Sequence, residues 1–146
     1  MNRIKTLLEG KVAIETLPAI VPSSEKIMEG PKRIFLEKGE LAEIYNSQDA
    51  IKHIVYLEFI VGKARGGHYH TRQEYFYIIR GEMELTAADA ETGATEKVVI
   101  KEGDLISMPP KIAHIIKAIK PGHAIEFSKD CFKPEDTTKY AFLLDI

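Results

Sequence analysis

Four residues in this 146-residue chain have the types and spacing to grip a metal ion: His68, His70, Glu74 and His114. His68 and His70 are two apart, so on an extended strand their imidazoles point to one face. Glu74 follows at another even offset, and after a short bend its carboxylate can return to that face. His114 lies far along the chain in a β-rich segment. In a closed barrel such a strand can carry a fourth ligand across the interior. Three imidazoles and one carboxylate suit Zn, Fe, Mn, Ni or Co and suit Mg or Ca poorly. The expected cofactor is therefore one divalent transition metal. A single histidine on an apolar strand is more often a core or surface residue, and the expectation rests on the four together. His53 and His123 fit no ligand position and are expected to be structural or exposed.

The elements that must position these side chains are strands. From Arg33 onward the apolar residues alternate, in segments such as Arg33–Leu36, Leu41–Tyr45, His53–Val61, Tyr75–Ile79 and Glu82–Ala87. The pattern continues in Lys97–Ile100, Asp104–Met108, His114–Ala118 and Ala124–Phe127. Gly62, Gly66, Gly67, Gly81, Gly93, Gly103 and Pro121-Gly122 punctuate them. Many short strands with glycine turns predict an all-β sandwich or barrel. Gly66-Gly67 permits a tight bend that aims the ligand strand inward. Gly81 is expected to form a turn between two strands. Pro109-Pro110 ends a strand, because proline cannot donate to a central ladder.

The first thirty or so residues differ. Ile4, Leu7 and Leu8 have helical spacing that Gly10 cuts short, and Pro18, Pro22, Gly30 and Pro31 follow. Residues 1–32 are read as an arm with little regular structure, 33–130 as the barrel core and 131–146 as a tail holding one helical turn. The length suits one domain with one core. A composition of 45% apolar and 29% charged residues argues against a wholly disordered chain. A net charge of −2 gives no basic footprint for nucleic acid. The lone Cys131 permits no internal disulfide, in keeping with a reducing compartment. No stretch has the apolar length of a signal peptide core or a membrane span, so a soluble, cytoplasmic protein is expected.

The stretch from Gly62 to Gly81 carries His68, His70 and Glu74 in the frame G-x5-H-x-H-x3-E-x6-G, and Gly103, Pro109 and His114 form a second frame. These resemble the two motifs of the cupin superfamily. The second departs from the family pattern at Lys111, where the motif has glycine, and at Ala118, where it has asparagine. Neither position is a metal ligand in the pattern. The resemblance covers about Arg33 to Lys129 and implies a jelly-roll β-barrel, or double-stranded β-helix, with an N-terminal arm. It also implies a homodimer and a small-molecule ligand.

If Glu74 and His114 face inward, Phe76, Ile78, Ile116 and Ala118 do too, and these apolar residues become the expected pocket wall. In His53–Val61 either Tyr56, Glu58 and Ile60 or His53, Val55, Leu57 and Phe59 face inward. The second set is the more apolar and is favoured. Arg65, before His68, is weighed as an anion-binding residue against an exposed loop charge; Arg72 and Arg80 are further cations for a barrel mouth. Tyr56, Glu58 and Glu126 are the available candidates for a catalytic base.

A cupin fold does not name a reaction. Two stretches, ARGGHYH and KDCFKPEDTTKY, resemble cupins that modify nucleotide-sugars, including the cupin domain of capsular polysaccharide epimerases. They imply epimerisation or isomerisation of a sugar or nucleotide-sugar beside a carbonyl. A bound metal would polarise the oxygen and a base would take the adjacent proton. The alternatives are an iron-dependent dioxygenase, which the apolar wall of Phe76, Ile78 and Ile116 would suit, and a non-catalytic metabolite-binding or sensor cupin.

Overall fold

The computed structural model describes residues 3–22 and 29–142. Strands and turns make up the regular structure, and no helix occurs among the described residues. Two long strands organise the molecule. They are β8 (Glu74–Asp89) and β11 (Ile112–Ser128), antiparallel from Ile112↔Asp89 to Phe127↔Tyr75. Both bend midway, at Gly81 and Gly122. A Cβ on Gly122 would lie 2.0 Å from the Arg80 carbonyl oxygen, and one on Gly81 would lie 2.9 Å from the Gly122 Cα. Only glycine allows the two backbones to approach this closely. The bend folds the strand pair over, so its two ends face each other across a barrel.

The other strands fill in on each side. Before its bend β8 carries β10 (Asp104–Met108), which pairs with β2 (Val12–Thr16) and then β1 (Arg3–Leu7). After its bend β8 pairs with β9 (Thr95–Lys101). The first half of β11 pairs with β7 (Ala64–Tyr69), and its second half pairs with β6 (His53–Phe59). A short β12 (Thr138–Lys139) closes the edge beside β7. A separate small sheet joins β3 (Ala19–Ile20), β4 (Lys32–Leu36) and β5 (Gly39–Glu43). It is pinned to the turn before β10 by Arg33, which donates to Glu40 at 2.8 Å and to Glu102 at 2.9 Å.

The barrel core is apolar. Val12, Ile14, Ile78, Met83, Leu85, Ile100, Ile106 and Ile116 are buried in it. Each such side chain contributes roughly 1.5–3 kcal/mol of burial energy. A second cluster lies outside the first sheet, where Tyr77, Leu105 and Phe127 pack with Tyr45, Tyr75 and Ile125.

Several expectations are corrected. Residues 3–16 are not an irregular arm, because β1 and β2 form a hairpin that extends the barrel sheet. Tyr75–Ile79 and Glu82–Ala87 belong to one strand, and Gly81 bends it without ending it. The same holds for His114–Ala118 and Ala124–Phe127. Among the described residues the tail forms no helical turn. Its residues 133–136 form a turn closed by Asp136 N–H donating to the Lys133 carbonyl at 2.9 Å. In β6 the set His53, Val55, Leu57 and Phe59 is the more buried face, as the apolar pattern favours.

A histidine and carboxylate cluster in the barrel

The inward face of β7 delivers His68, and His70 follows just past its end. Glu74 opens β8, and His114 stands near the start of β11, directly opposite His68 in the pairing register. That pairing needs Gly66: its φ is +106°, and a Cβ there would lie 2.4 Å from the His114 carbonyl oxygen. The structure thus brings together the four residues singled out above. The imidazole of His68 lies with its centroid 4.7 Å from that of His70 and 5.1 Å from that of His114. Nε2 of His70 is 3.0 Å from one Glu74 oxygen, and Nε2 of His114 is 3.9 Å from the other.

Glu126 joins the group. It comes from the far end of β11, and one donor atom from each of His70, Glu74 and Glu126 lies within 4.8 Å of the others. Burial, with neighbouring positive charge, lowers the histidines below their ordinary value, His114 to about 3. All three are therefore neutral near pH 7. His70 Nδ1 sits 2.5 Å from the Asp136 carbonyl oxygen, which can only accept. The proton is therefore on Nδ1, and Nε2 turns its lone pair toward Glu74. Burial and the neighbouring Glu126 raise the Glu74 carboxyl, against the pull of Arg72. Three neutral imidazoles and two carboxylates are a donor set that suits a divalent transition ion. His68, His70, Glu74 and His114 could hold it.

One neighbour is unusual for such a set. Arg72, only 6% exposed, donates to the same Glu74 oxygen that faces His70, at 3.1 Å. Its other amino group faces Asp136 at 3.5 Å, and its guanidinium stacks on Phe132.

The cavity above this cluster has a volume of about 390 Å³ and is lined by His53, Val55, His68, His70, Arg72, Glu126, Phe132 and Thr137. The expected apolar wall is only partly there. Phe76 packs edge-on against His114 at 5.3 Å, but Ile78 and Ile116 lie in the barrel core. Arg65 does not reach the cavity. It is exposed and donates to the Glu58 carbonyl at 2.8 Å. Arg80 pairs with Glu102 on the outer surface. Tyr56 and Glu58 are corrected as candidate bases. They sit on the outer face of β6, Tyr56 at 61% exposure, because the alternation of that strand turns His53 and Val55 inward. His53, expected to be structural or exposed, is therefore a cavity residue. Phe132, Asp136 and Thr137 were not expected here. Their segment has no periodicity to betray it.

A bent antiparallel barrel with a histidine-rich cavity inside its folded nine-stranded sheet defines a jelly-roll protein with its site in the lumen. The family model described as "Cupin domain" matches residues 55–127, half of the chain, and the chain belongs to that family. No curated protein matches the sequence. Among solved structures it is similar to a dTDP-6-deoxy-D-glucose-3,5-epimerase from Legionella pneumophila Philadelphia 1, in complex with dTDP-4-keto-L-rhamnose. That match has 16% identity, a TM-score of 0.74 and coverage of 98% of this chain and 79% of that one. A dTDP-4-dehydrorhamnose 3,5-epimerase from Sulfolobus tokodaii matches with 16% identity, a TM-score of 0.74 and coverage of 94% and 81%. A 3,4-ketoisomerase from Helicobacter canadensis matches with 14% identity, a TM-score of 0.63 and coverage of 74% and 85%. At these identities the likeness establishes the shared fold. No helix among the described residues is long and apolar enough to cross a membrane.

Proposed function

We propose that this cupin is a metal-dependent epimerase or isomerase acting on a keto sugar, carried as a nucleotide-sugar. The observation that carries this reading is the convergence of three neutral imidazoles and two carboxylates at the floor of one cavity. His68, His70, Glu74 and His114 would hold the ion. When bound, it supplies Lewis acidity toward a substrate carbonyl. Glu126 stands beside this set, half-buried and lining the cavity, and serves as the base that takes the proton from the carbon next to that carbonyl. His53 and Thr137 offer polar groups to sugar hydroxyls, and Phe132 screens the mouth. The choice of a nucleotide-sugar draws on the three enzymes above, whose names state sugar epimerisation or ketoisomerisation.

Incubation of the metal-loaded protein with a dTDP-4-keto-6-deoxyhexose in heavy water tests this reading. Deuterium should enter at a carbon flanking the ketone. Protein that takes up no divalent ion, or loaded protein that catalyses no exchange, would sink it.

We further infer a homodimer. The outer face of β6, with Ile60 just past its end, leaves Ile54, Tyr56 and Ile60 exposed, and among the described residues this strand pairs on one side, with β11. Lys52 and Glu58 flank Tyr56 on that same face, so a second copy placed antiparallel brings opposite charges together twice. Sedimentation at about micromolar concentration giving 16.4 kDa would contradict it.

A further inference from the structure

His70 and Glu74 are joined by residues 71–73, which belong to no strand. Barrel strands hold its last residue, Gln73, whose side chain donates to Ser107 at 2.8 Å and whose carbonyl accepts from Ser128 at 2.7 Å, and the polar groups of Thr71 and Arg72 must find partners elsewhere. Most come from the tail that crosses the cavity mouth. Oδ1 of Asp136 accepts from the Thr71 amide at 2.9 Å and from the Thr71 hydroxyl at 2.7 Å. Oδ2 faces Arg72 at 3.5 Å, and Arg72 reaches on to Glu74 at 3.1 Å. The Asp136 carbonyl takes the Nδ1 proton of His70 at 2.5 Å. Phe132, stacked against His53 with centroids 5.3 Å apart and lying under Arg72, anchors the same tail at the opposite rim.

We propose that Asp136 is a positioning residue for the cluster: its carboxylate docks the tail, and the docked tail sets the ring of His70 and, through Arg72, the carboxylate of Glu74. This rests on the metal-site reading above, and it deepens it. An acid that merely pinned a loose end would need only the Thr71 contacts. Here the same residue also fixes which His70 nitrogen carries the proton, the feature that makes Nε2 a ligand. Thr71, Arg72 and His70 all lose a partner if the tail lifts. The site is therefore assembled by two distant segments, and its geometry depends on a part of the chain outside both sequence motifs.

The test compares Asp136→Ala and Asp136→Asn with the unaltered full-length protein. Nitrogen NMR of the imidazoles at about pH 8, where histidines are neutral, reads the His70 tautomer without any metal. Zinc affinity is measured in parallel by competition with a chelating dye. Asp136→Ala should mix the His70 tautomers and weaken zinc binding by about 10- to 100-fold, the usual effect of removing a ligand's supporting partner. Asp136→Asn keeps the acceptor for Thr71 and should restore the single tautomer and most of the affinity. If Asp136→Ala retains one His70 tautomer and unaltered zinc binding, the proposal is overturned. It is overturned equally if Asp136→Asn is as damaging as Asp136→Ala, since charge and not docking would then be at work. Should the tautomers mix while no variant, nor the parent, binds zinc, the positioning role stands and the metal reading falls. Phe132→Ala, which loosens the other anchor and leaves Asp136 intact, should mix the tautomers in the same direction; no change there would overturn the role of tail docking.

Discussion

His114 Nε2 and a Glu74 oxygen lie 3.9 Å apart, although they come from opposite ends of the β8–β11 pair. Strands of this length would hold them far apart if straight. The bend at Gly81 and Gly122 brings them together, so the site is a product of the corner as much as of the ligand strands.

Gly122→Ala tests that dependence. The added methyl would meet the Arg80 carbonyl at 2.0 Å, and backbone cannot give way as a side chain can. We expect a loss of about 1–3 kcal/mol of stability, read by urea denaturation, together with weakened metal uptake. Unaltered stability would mean that the corner can open without cost.

The metal-free protein should have a two-sided dependence on pH. Burial holds His68, His70 and His114 below the ordinary 6.5, with His114 at about 3. Between those values the unfolded chain binds more protons than the folded one. Stability therefore falls as pH drops through that window. Glu74 works in the opposite sense. Burial and Glu126 raise its carboxyl above 4.5, so its contribution is present below 4.5 and is lost as pH rises. Stability should be greatest where the two windows overlap, between 4.5 and 6.5. His114→Gln should flatten the acid limb by about 1.4 kcal/mol per pH unit, and an acid limb identical to the parent's would refute the buried neutral imidazole.

What could be read in the sequence follows from which contacts leave a pattern. The even spacing of His68, His70 and Glu74 is a property of strands, and the apolar alternation of His53–Phe59 chose the inward face of β6. The β1–β2 hairpin left no such mark. Its turn holds Gly10 at φ 87°, but it also places Leu8 and Glu9 at φ of 55° and 57°, a region those residue types seldom enter, so Gly10 reads as the end of a helical pattern and not as part of a hairpin turn. Gly81 signalled a turn because positive φ serves a turn and a bend equally well. Glu126 could not be assigned a face, since Ala124–Phe127 is short and both of its faces, Ala124 with Glu126 and Ile125 with Phe127, are at least partly buried. The tail stretch is legible only as a resemblance, and the part played by Asp136 is not, because it acts through single polar contacts, which have no period.

Lys111 occupies the place where the second motif has glycine, and its φ is +64°. The position is fixed by its amide donating to the His70 carbonyl at 2.7 Å and its carbonyl accepting from Ala90 at 3.0 Å. The left-handed conformation costs a residue with a Cβ about 1–2 kcal/mol. Replacement by glycine relieves this but raises the entropy of the unfolded chain by about 0.5–1 kcal/mol and removes an exposed ion pair with Glu91. Lys111→Gly should therefore raise stability by a few tenths of a kcal/mol up to about 1, seen as a higher urea midpoint. A lower midpoint would show that the exposed pair contributes more than such pairs usually do.

Glu126→Gln separates the base from the ligands. Glutamine keeps the size of the side chain and a polar contact at the cavity floor, but it cannot take a proton. If Glu126 is the base, turnover of the keto sugar should fall by about 10²- to 10⁴-fold. Deuterium exchange beside the carbonyl should fall in step, because both depend on the same proton transfer. Metal stoichiometry should be unchanged, since His68, His70, Glu74 and His114 remain. Loss of bound metal in Glu126→Gln would place Glu126 among the ligands, as its distance to His70 and Glu74 permits. Retained exchange with retained metal would send the search for the base to His53, the other titratable side chain on the cavity wall that is neither a proposed ligand nor an arginine.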